Sequence, residues 1–378
     1  MESRLRESVR LRMRADVPVG AFLSGGLDSA AVVALASREG GGPVRTFSIG
    51  SADAGLDEAP AARALATHFG TAHSEAYLDE AAARALLPRL PEWFDEPFGD
   101  ASALPVSVVS ALARGAVKTV LSGDGGDELL GGYNAYPGQR VRSLVDQGRL
   151  GDACQFLHAW SRWPGRSLWQ GIKRVAGAYS EGQLYQSLRR LDGMDVTPDW
   201  IRPGPLREAG VHLAFPTPPN GYDQPGRRMM GSLAASVRQR GLPALLRHGD
   251  RNSMRFSIES RVPFLTHQLA DFTLGLPEEY LVSLEGESKH LLRAAMRGIV
   301  PDAVLDRKDK IGFATPEQQW LLGMADTVRG WLAEDIGMPF LDQERVVAEF
   351  DLVVSGRRAY TWQVWRWINF IRWYRCLS

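Results

Sequence analysis

Cysteine is nearly absent: Cys154 and Cys376 are the only two thiols in 378 residues, far apart and without CxxC spacing. That excludes a disulfide framework and a cysteine-rich zinc site, and it fits a reducing, cytoplasmic setting. Net charge is missing as well, because 44 Lys and Arg balance 44 Asp and Glu. With no basic excess and no acidic tail, nucleic acid is not the expected partner. No apolar run reaches the roughly 18 residues that cross a bilayer. The opening residues, MESRLRESVRLRMRADVP, mix Arg with Glu and lack the apolar stretch of a signal peptide. His68 and His73 lack metal-ligand spacing and read as structural. Tryptophan, by contrast, is plentiful at 11 residues, five of them in the tail WLAEDIGMPF…YTWQVWRWINFIRWY. At helical spacing such a stripe reads as a packed core helix rather than a membrane surface.

What the chain does have, over its first 130 or so residues, is alternation. VPVGAFL, VRTFSIG (44–50), AHSEAYL and AVKTVLSG (116–123) read as strands. Residues 27–38, 57–70, 79–90 and 101–114 read as helices, the second with a Gly stop. Strands alternating with helices predict an α/β fold with a parallel sheet covered by helices on both faces. The length calls for more than one small core. The expected division is a nucleotide-binding core over 1–135, a helical insertion over 136–240 and a mainly helical part over 241–378 that completes the site.

Two glycine-rich loops follow predicted strands, where parallel sheets bind ligands. In the first, Ser24-Gly25-Gly26-Leu27-Asp28-Ser29, two glycines and two hydroxyls precede a helix start. It lacks the Lys of a P-loop and the spacing of a dinucleotide fingerprint. Backbone N–H groups and the helix dipole favour an oxyanion there. Asp28 would repel a phosphate unless Mg²⁺ lies between them, so the loop predicts a Mg²⁺-chelated phosphate or pyrophosphate. The second loop, SGDGGDELLGGY, carries Asp124, Asp127 and Glu128 among five glycines. A solvated acidic turn is the plain alternative, but five glycines are costly to order without a reason. A second metal ligand is needed opposite Asp28, and Asp127 is the choice; Asp124 is placed to orient an acyl acceptor or an attacking amine.

In order along the chain, DVPVGAFLSGGLDS, TFSIG, DE…A…LATHFGTAH, LSGDGGDELLGGY, SMRFSIESRVPFL, KHLLR and KDKIGF…P…W resemble a known family. It is the C-terminal synthetase domain of class B, glutamine-hydrolysing asparagine synthetase, of the N-type ATP-pyrophosphatase superfamily. The resemblance runs from about residue 5 to at least 322. It implies an adenine nucleotide alpha hydrolase-like fold that binds ATP as substrate with Mg²⁺. Adenine and ribose would meet the backbone at Leu23, Ile49, Ser122 and Gly123. Ser24, Gly25, Gly26 and Ser29 would cradle pyrophosphate, and Asp28 and Asp127 would hold Mg²⁺. The resemblance links Asp124 to acyl-adenylate formation and gives Lys310, three residues before Phe313, the task of steadying transition-state charge. Glu128 joins the catalytic candidates.

Two departures bear on the substrates. Family members usually begin with a glutaminase domain and its N-terminal cysteine, whereas residue 2 here is Glu2. The nucleophile is then free ammonia, ammonia from a separate glutaminase subunit or pathway partner, or another amine, unless the chain is a fragment. The usual PFLD reads PFLT, with Thr266 removing a charge expected near the acyl site. The resulting expectation is an AMP-forming amide synthetase acting on a carboxylate, aspartate or a related acid. A lasso-peptide-type macrolactam cyclase is the related alternative. A β-lactam-forming relative would carry Tyr where Asp124 stands. A catalytically inactive partner module would have no need of Asp28, Asp127 and Lys310.

Overall fold

The central strands bury short apolar stretches, Gly20-Ala21 in the first strand and Thr119–Leu121 in the fourth, and the first four strands alternate with helices along the chain. The computed structural model describes residues 1–53, 55–133, 136–179, 187, 195–215, 222, 224–239, 241–308 and 315–377. Helix α1 (Glu2–Arg12) precedes β1 (Val19–Phe22), and α2 (Leu27–Ala36) follows it. Next come β2 (Arg45–Ser51), α3 (Ala59–Phe69) and β3 (Ala72–Leu78). Gly70 ends α3 at φ 63°, the left-handed cap that glycine takes without a Cβ penalty. Helix α4 (Glu80–Leu86) is capped by Asp79, whose carboxylate accepts from Ala82 N at 2.7 Å. The helix expected over 79–90 stops short of that range. Pro88 and Pro91 turn residues Leu87–Glu92 into a 3₁₀ segment, because proline supplies no N–H to the α ladder. Helix α5 (Ala103–Arg114) then leads into β4 (Thr119–Leu121).

The sheet has a fifth strand, β5 (Glu259–Arg261), drawn from the SMRFSIESRVPFL motif and paired in parallel with β4. All pairings are parallel, in the order β3-β2-β1-β4-β5. Successive connections run outward from β1 to β3, then return to the other side of β1 at β4. The gap between the carboxyl ends of β1 and β4 is therefore the topological switch point, where open α/β sheets hold ligands.

Adjacent residues of β4 show both faces covered. Leu121 packs with α1 and α2 in one apolar cluster, while Val120 packs with Phe47 and with Val109 and Ala113 of α5 in another. Beyond β4 come α6 (Gly126–Leu130), α7 (Pro137–Asp146), α8 (Leu150–Ser161), α9 (Leu168–Tyr179), α10 (Pro203–Glu208), α11 (Arg228–Arg238) and α12 (Leu242–Met254). The first cluster reaches Phe156 and Trp160 of α8 and Met229 of α11, so these helices share the core of the sheet.

After β5 the chain forms α13 (His267–Gly275), α14 (His290–Ala295), α15 (Asp302–Leu305), α16 (Glu317–Gly323), α17 (Ala325–Ala333), α18 (Gln343–Val354) and α19 (Gln363–Arg375). The Trp-rich tail is core in part: Trp365 and Trp367 of α19 are buried with Leu332 of α17 and Phe350 of α18, against Leu87 and Leu104, whereas Trp362 is exposed. Among the described residues, no helix is long and apolar enough to cross a membrane.

Candidate active site

The turn between β1 and α2 is ordered by its own hydroxyls. Ser24 Oγ and Ser29 Oγ lie 2.8 Å apart, Ser24 N donates to Ser29 Oγ at 3.1 Å, and Gly26 N donates to Ser24 Oγ at 3.2 Å. Gly26 is the N-cap of α2, and no side chain caps that end. The positive end of the helix dipole therefore opens onto the loop, as an anion site requires. Gly25 has no room for a side chain, since a Cβ there would lie 2.7 Å from that of Ala61 in α3. Arg307 Nη1 donates to Gly25 O at 3.3 Å, which brings a guanidinium to the loop from far along the chain.

The second loop leaves β4 beside the first. Ser122 N donates to Arg261 O of β5 at 2.9 Å, and Ser122 Oγ donates to Asp124 Oδ2 at 2.9 Å. Asp28 stands in the first turn of α2 and Asp127 in the first turn of α6. Both converge on the ammonium of Lys289, which pairs with Asp28 Oδ2 and lies 2.7 Å from Asp127 Oδ1. Two glycines make this convergence physical. A Cβ on Gly126 would sit 2.7 Å from the Asp28 carboxylate, and one on Gly132 would sit 1.8 Å from Asp127 Oδ1 and 2.3 Å from Lys289 Cε. The glycine cost of SGDGGDELLGGY is thus the cost of passing two carboxylates and a lysine across bare backbone.

Burial sets the protonation of these groups. It pushes the Asp124 carboxyl above its ordinary value; the Ser122 hydrogen bond opposes this, and nearby Asp28 and Asp127 add to it. Burial also works against the charge on Lys289, but the two carboxylates more than offset it, and its pKa stands raised. Glu128 is 2% exposed and accepts the Tyr133 hydroxyl, with burial raising its pKa.

Leu23 N donates to Phe47 O at 2.9 Å, extending the β1–β2 ladder to the edge of the loop. Ile49, at the carboxyl end of β2, lines an open cleft with Glu58, Leu78, Pro105 and Trp320. Burial lifts Glu58 to about 7, opposed by the charge of Arg307. Arg307 therefore joins the cleft to the first loop electrostatically as well as through Gly25.

The structure gathers Ser24, Gly25, Gly26, Asp28 and Ser29 with Ser122, Gly123, Asp124 and Asp127 around the switch point. Lys310 lies outside the described residues. The approach to it is anchored: Arg293 donates through Nε to Ser288 O at 2.9 Å and through Nη1 to Arg307 O at 3.2 Å and to Leu305 O. Thr266 is the N-cap position of α13, in extended backbone and without a side-chain cap bond. Lys289, Arg293, Arg307 and Glu58 were not singled out by sequence. KHLLR contains the first two, but nothing in its spacing shows that Lys289 folds back 261 residues to Asp28.

Two carboxylates closing on one cation across bare glycine backbone suit a Mg²⁺ ion, which commonly takes one or two carboxylates and fills its octahedron with water and phosphate oxygens. Among the described residues no group of three or more His, Cys, Asp or Glu forms a complete cage. A metal here would depend on oxygens brought by a ligand.

Comparison with known proteins identifies the family of the chain. The family described as Asparagine synthase matches residues 1–375. Asparagine synthetase [glutamine-hydrolyzing] 1 of Bacillus subtilis is 28% identical over 392 aligned residues, covering 97% of this chain and 57% of that protein. A putative asparagine synthetase [glutamine-hydrolyzing] of Mycobacterium bovis is 30% identical, covering 98% of this chain and 56% of the relative. In Methanocaldococcus jannaschii a putative asparagine synthetase [glutamine-hydrolyzing] 2 is 44% identical over 145 residues, 37% of this chain and 28% of that protein. The chain thus spans little more than half the length of the first two relatives. With the family match running almost end to end over a parallel α/β sheet, the chain belongs to the asparagine synthase family.

Proposed function

We propose that this chain carries the synthetase chemistry of a Mg-ATP-dependent, AMP-forming amide synthetase. One observation carries the reading: Asp28 and Asp127, from the ends of two different strands, meet on one cation beside the uncapped N-terminus of α2. That is a seat for a metal-chelated pyrophosphate next to a seat for its oxygens.

In this reading the ATP β,γ-phosphates lie on Ser24, Gly25, Gly26 and Ser29, and the nucleoside extends along Leu23, Ile49, Ser122 and Gly123. A carboxylate oxygen of the acyl substrate attacks the α-phosphorus, the α–β bridge bond breaks, and pyrophosphate leaves. The N–H groups of the first loop and the guanidinium of Arg307 favour the charge on that leaving group. Mg²⁺ held by Asp28 and Asp127, when bound, neutralises the same charge. An amine or ammonia then attacks the acyl carbon, the bond from that carbon to the AMP oxygen breaks with its electron pair leaving on AMP, and the nitrogen gives its extra proton to water. Asp124 borders this second step, Glu128 and Tyr133 brace the loop, and family resemblance gives Lys310 the developing phosphoryl charge. The acyl substrate is aspartate or a related carboxylate, and the amine comes from free ammonia, a partner glutaminase or another donor. The organisation follows: residues 1–135 as nucleotide core, 136–240 as helical insertion, and 241–378 completing the site.

ATP–pyrophosphate exchange over a panel of carboxylates tests the reading. Exchange with aspartate, and asparagine formed from aspartate and ammonium, are the expected results. Exchange with a peptide and not with aspartate would assign the macrolactam chemistry instead. No exchange with any acid, in folded protein supplied with Mg²⁺, would leave only a non-catalytic role.

A further inference from the structure

Lys289 occupies the place where the metal is assigned, and the fold holds it there against local strain. Its backbone lies at φ 55°, one of two non-glycine residues at positive φ among the described residues. Such a conformation is unfavourable for a side-chain-bearing residue and persists when neighbours over-determine it. The neighbours do so here. Val282 and Ser288 form an antiparallel bridge, His290 N donates to Leu281 O at 3.1 Å, and Arg293 clamps Ser288 O. Lys289 itself is 8% exposed and caps α14. Its ammonium contacts both carboxylates at once, over a Gly132 that leaves no room for a Cβ.

We propose that Lys289 is the resident counter-cation of the Asp28–Asp127 seat, and that a divalent cation enters only by displacing its ammonium. The inference rests on the reading of Asp28 and Asp127 as the metal pair. Without nucleotide, the ammonium offsets the repulsion between two half-buried carboxylates and keeps the seat closed to metal alone. When a metal arrives with its phosphates, the displaced ammonium has a new anion within reach, because the pyrophosphate loop ends at the N-terminus of the helix that carries Asp28. Metal and nucleotide then bind as one unit. This is a gate on metal uptake made from a single side chain.

The test is Mn²⁺ binding without nucleotide, read by the electron paramagnetic resonance signal of free Mn²⁺. It compares wild type, Lys289→Met, Lys289→Arg, Asp127→Asn and Asp127→Asn/Lys289→Met. Lys289→Met is expected to bind Mn²⁺ about tenfold or more tightly than wild type, because a buried counter-charge has been removed from the seat. Its melting temperature should start below that of wild type and rise with added Mn²⁺, as ligand binding to the native state requires. Lys289→Arg, which keeps the charge, should bind as weakly as wild type, and the double variant should lose the gain. If Lys289→Met fails to fold, Lys289→Gln serves in its place. Equal Mn²⁺ affinity in wild type and Lys289→Met, abolished in both backgrounds by Asp127→Asn, would overturn the gate and leave the metal pair standing. Mn²⁺ binding indifferent to Asp127→Asn would overturn both.

Discussion

Glu58 offers a stability measurement with a definite sign. It stands at the N-cap position of α3, lines the cleft beside Ile49, and is lifted by burial from an ordinary 4.5 to about 7. The folded protein therefore holds the Glu58 proton more tightly than the unfolded chain does. The resulting stabilisation is complete below about pH 4.5, where both states are protonated, and is lost as the pH climbs through about 7. A shift of that size corresponds to about 3 kcal/mol at 1.36 kcal/mol per unit. Because the cleft admits solvent to the carboxyl, about 2 kcal/mol is the figure to test. Glu58→Gln is neutral at every pH and removes the slope. At pH 5 the variant should already be the more stable by a little under ~1 kcal/mol, and at pH 8 by about 2 kcal/mol. With an unfolding entropy of about 2.1 cal/mol/K per residue, the pH 8 gain is roughly 2–3 °C in Tm. Differential scanning calorimetry of both proteins without nucleotide, from pH 5 to pH 8, reads it directly. Parallel Tm profiles across that range would refute the reasoning, and so would a gain confined to low pH.

Three further outcomes follow from the geometry. Gly132→Ala places a Cβ against the ends of two flexible side chains, Asp127 and Lys289, so the protein should fold with an unchanged circular dichroism spectrum. Its ATP–pyrophosphate exchange should nonetheless fall about 100-fold, since the seat is pushed apart; undiminished exchange would remove Asp127 from the site. Glu278 is buried and accepts from Met229 N at 2.8 Å, Ser143 Oγ at 2.9 Å and Arg140 Nη1 at 3.2 Å. Glu278→Ala strands the buried Arg140 and should cost about 3–5 kcal/mol in chemical denaturation. Thr266→Asp adds a carboxylate at the N-terminus of α13 and should stabilise by about 0.3–1 kcal/mol. It should leave the ranking of acyl substrates unchanged, and a changed ranking would return Thr266 to the acyl site.

The parts of the fold visible in sequence are those with a repeating physical pattern. Parallel strands covered on both faces must be apolar runs, and VPVGAFL and VRTFSIG are such runs. The β-strand of three residues at Glu259–Arg261 is polar and has no period, so only pairing with β4 makes it a strand. The 3₁₀ segment after α4 was visible in Pro88 and Pro91 but outweighed by the Ala and Leu around them. The two glycine loops were legible because close approach to an anion or a carboxylate leaves its mark as glycine. Lys289 and Arg307 were not: a lone cation in a loop has the same sequence appearance whether it faces solvent or crosses the molecule. Thr266 stands at the N-cap position of α13 without a side-chain cap bond, so its departure from the usual Asp has no local structural explanation.

The charge balance of the site explains why these hidden cations matter. Asp28 and Asp127 bring two negative charges to one point, and Lys289 returns one. Burial leans Asp124 toward the neutral acid, so the third carboxyl adds less to the sum. The seat is then left about one charge negative, which repels bare nucleotide and favours nucleotide that carries a divalent cation. Arg307 donates to Gly25 O, which brings its positive charge to the first loop. Negative charge at the metal position and positive charge along the phosphate loop orient an incoming metal–pyrophosphate pair in one direction only. The proposed release of pyrophosphate from ATP, with AMP kept on the acyl group, would use that polarity. It comes from four side chains set at the ends of two neighbouring strands and in the segment around 289–307.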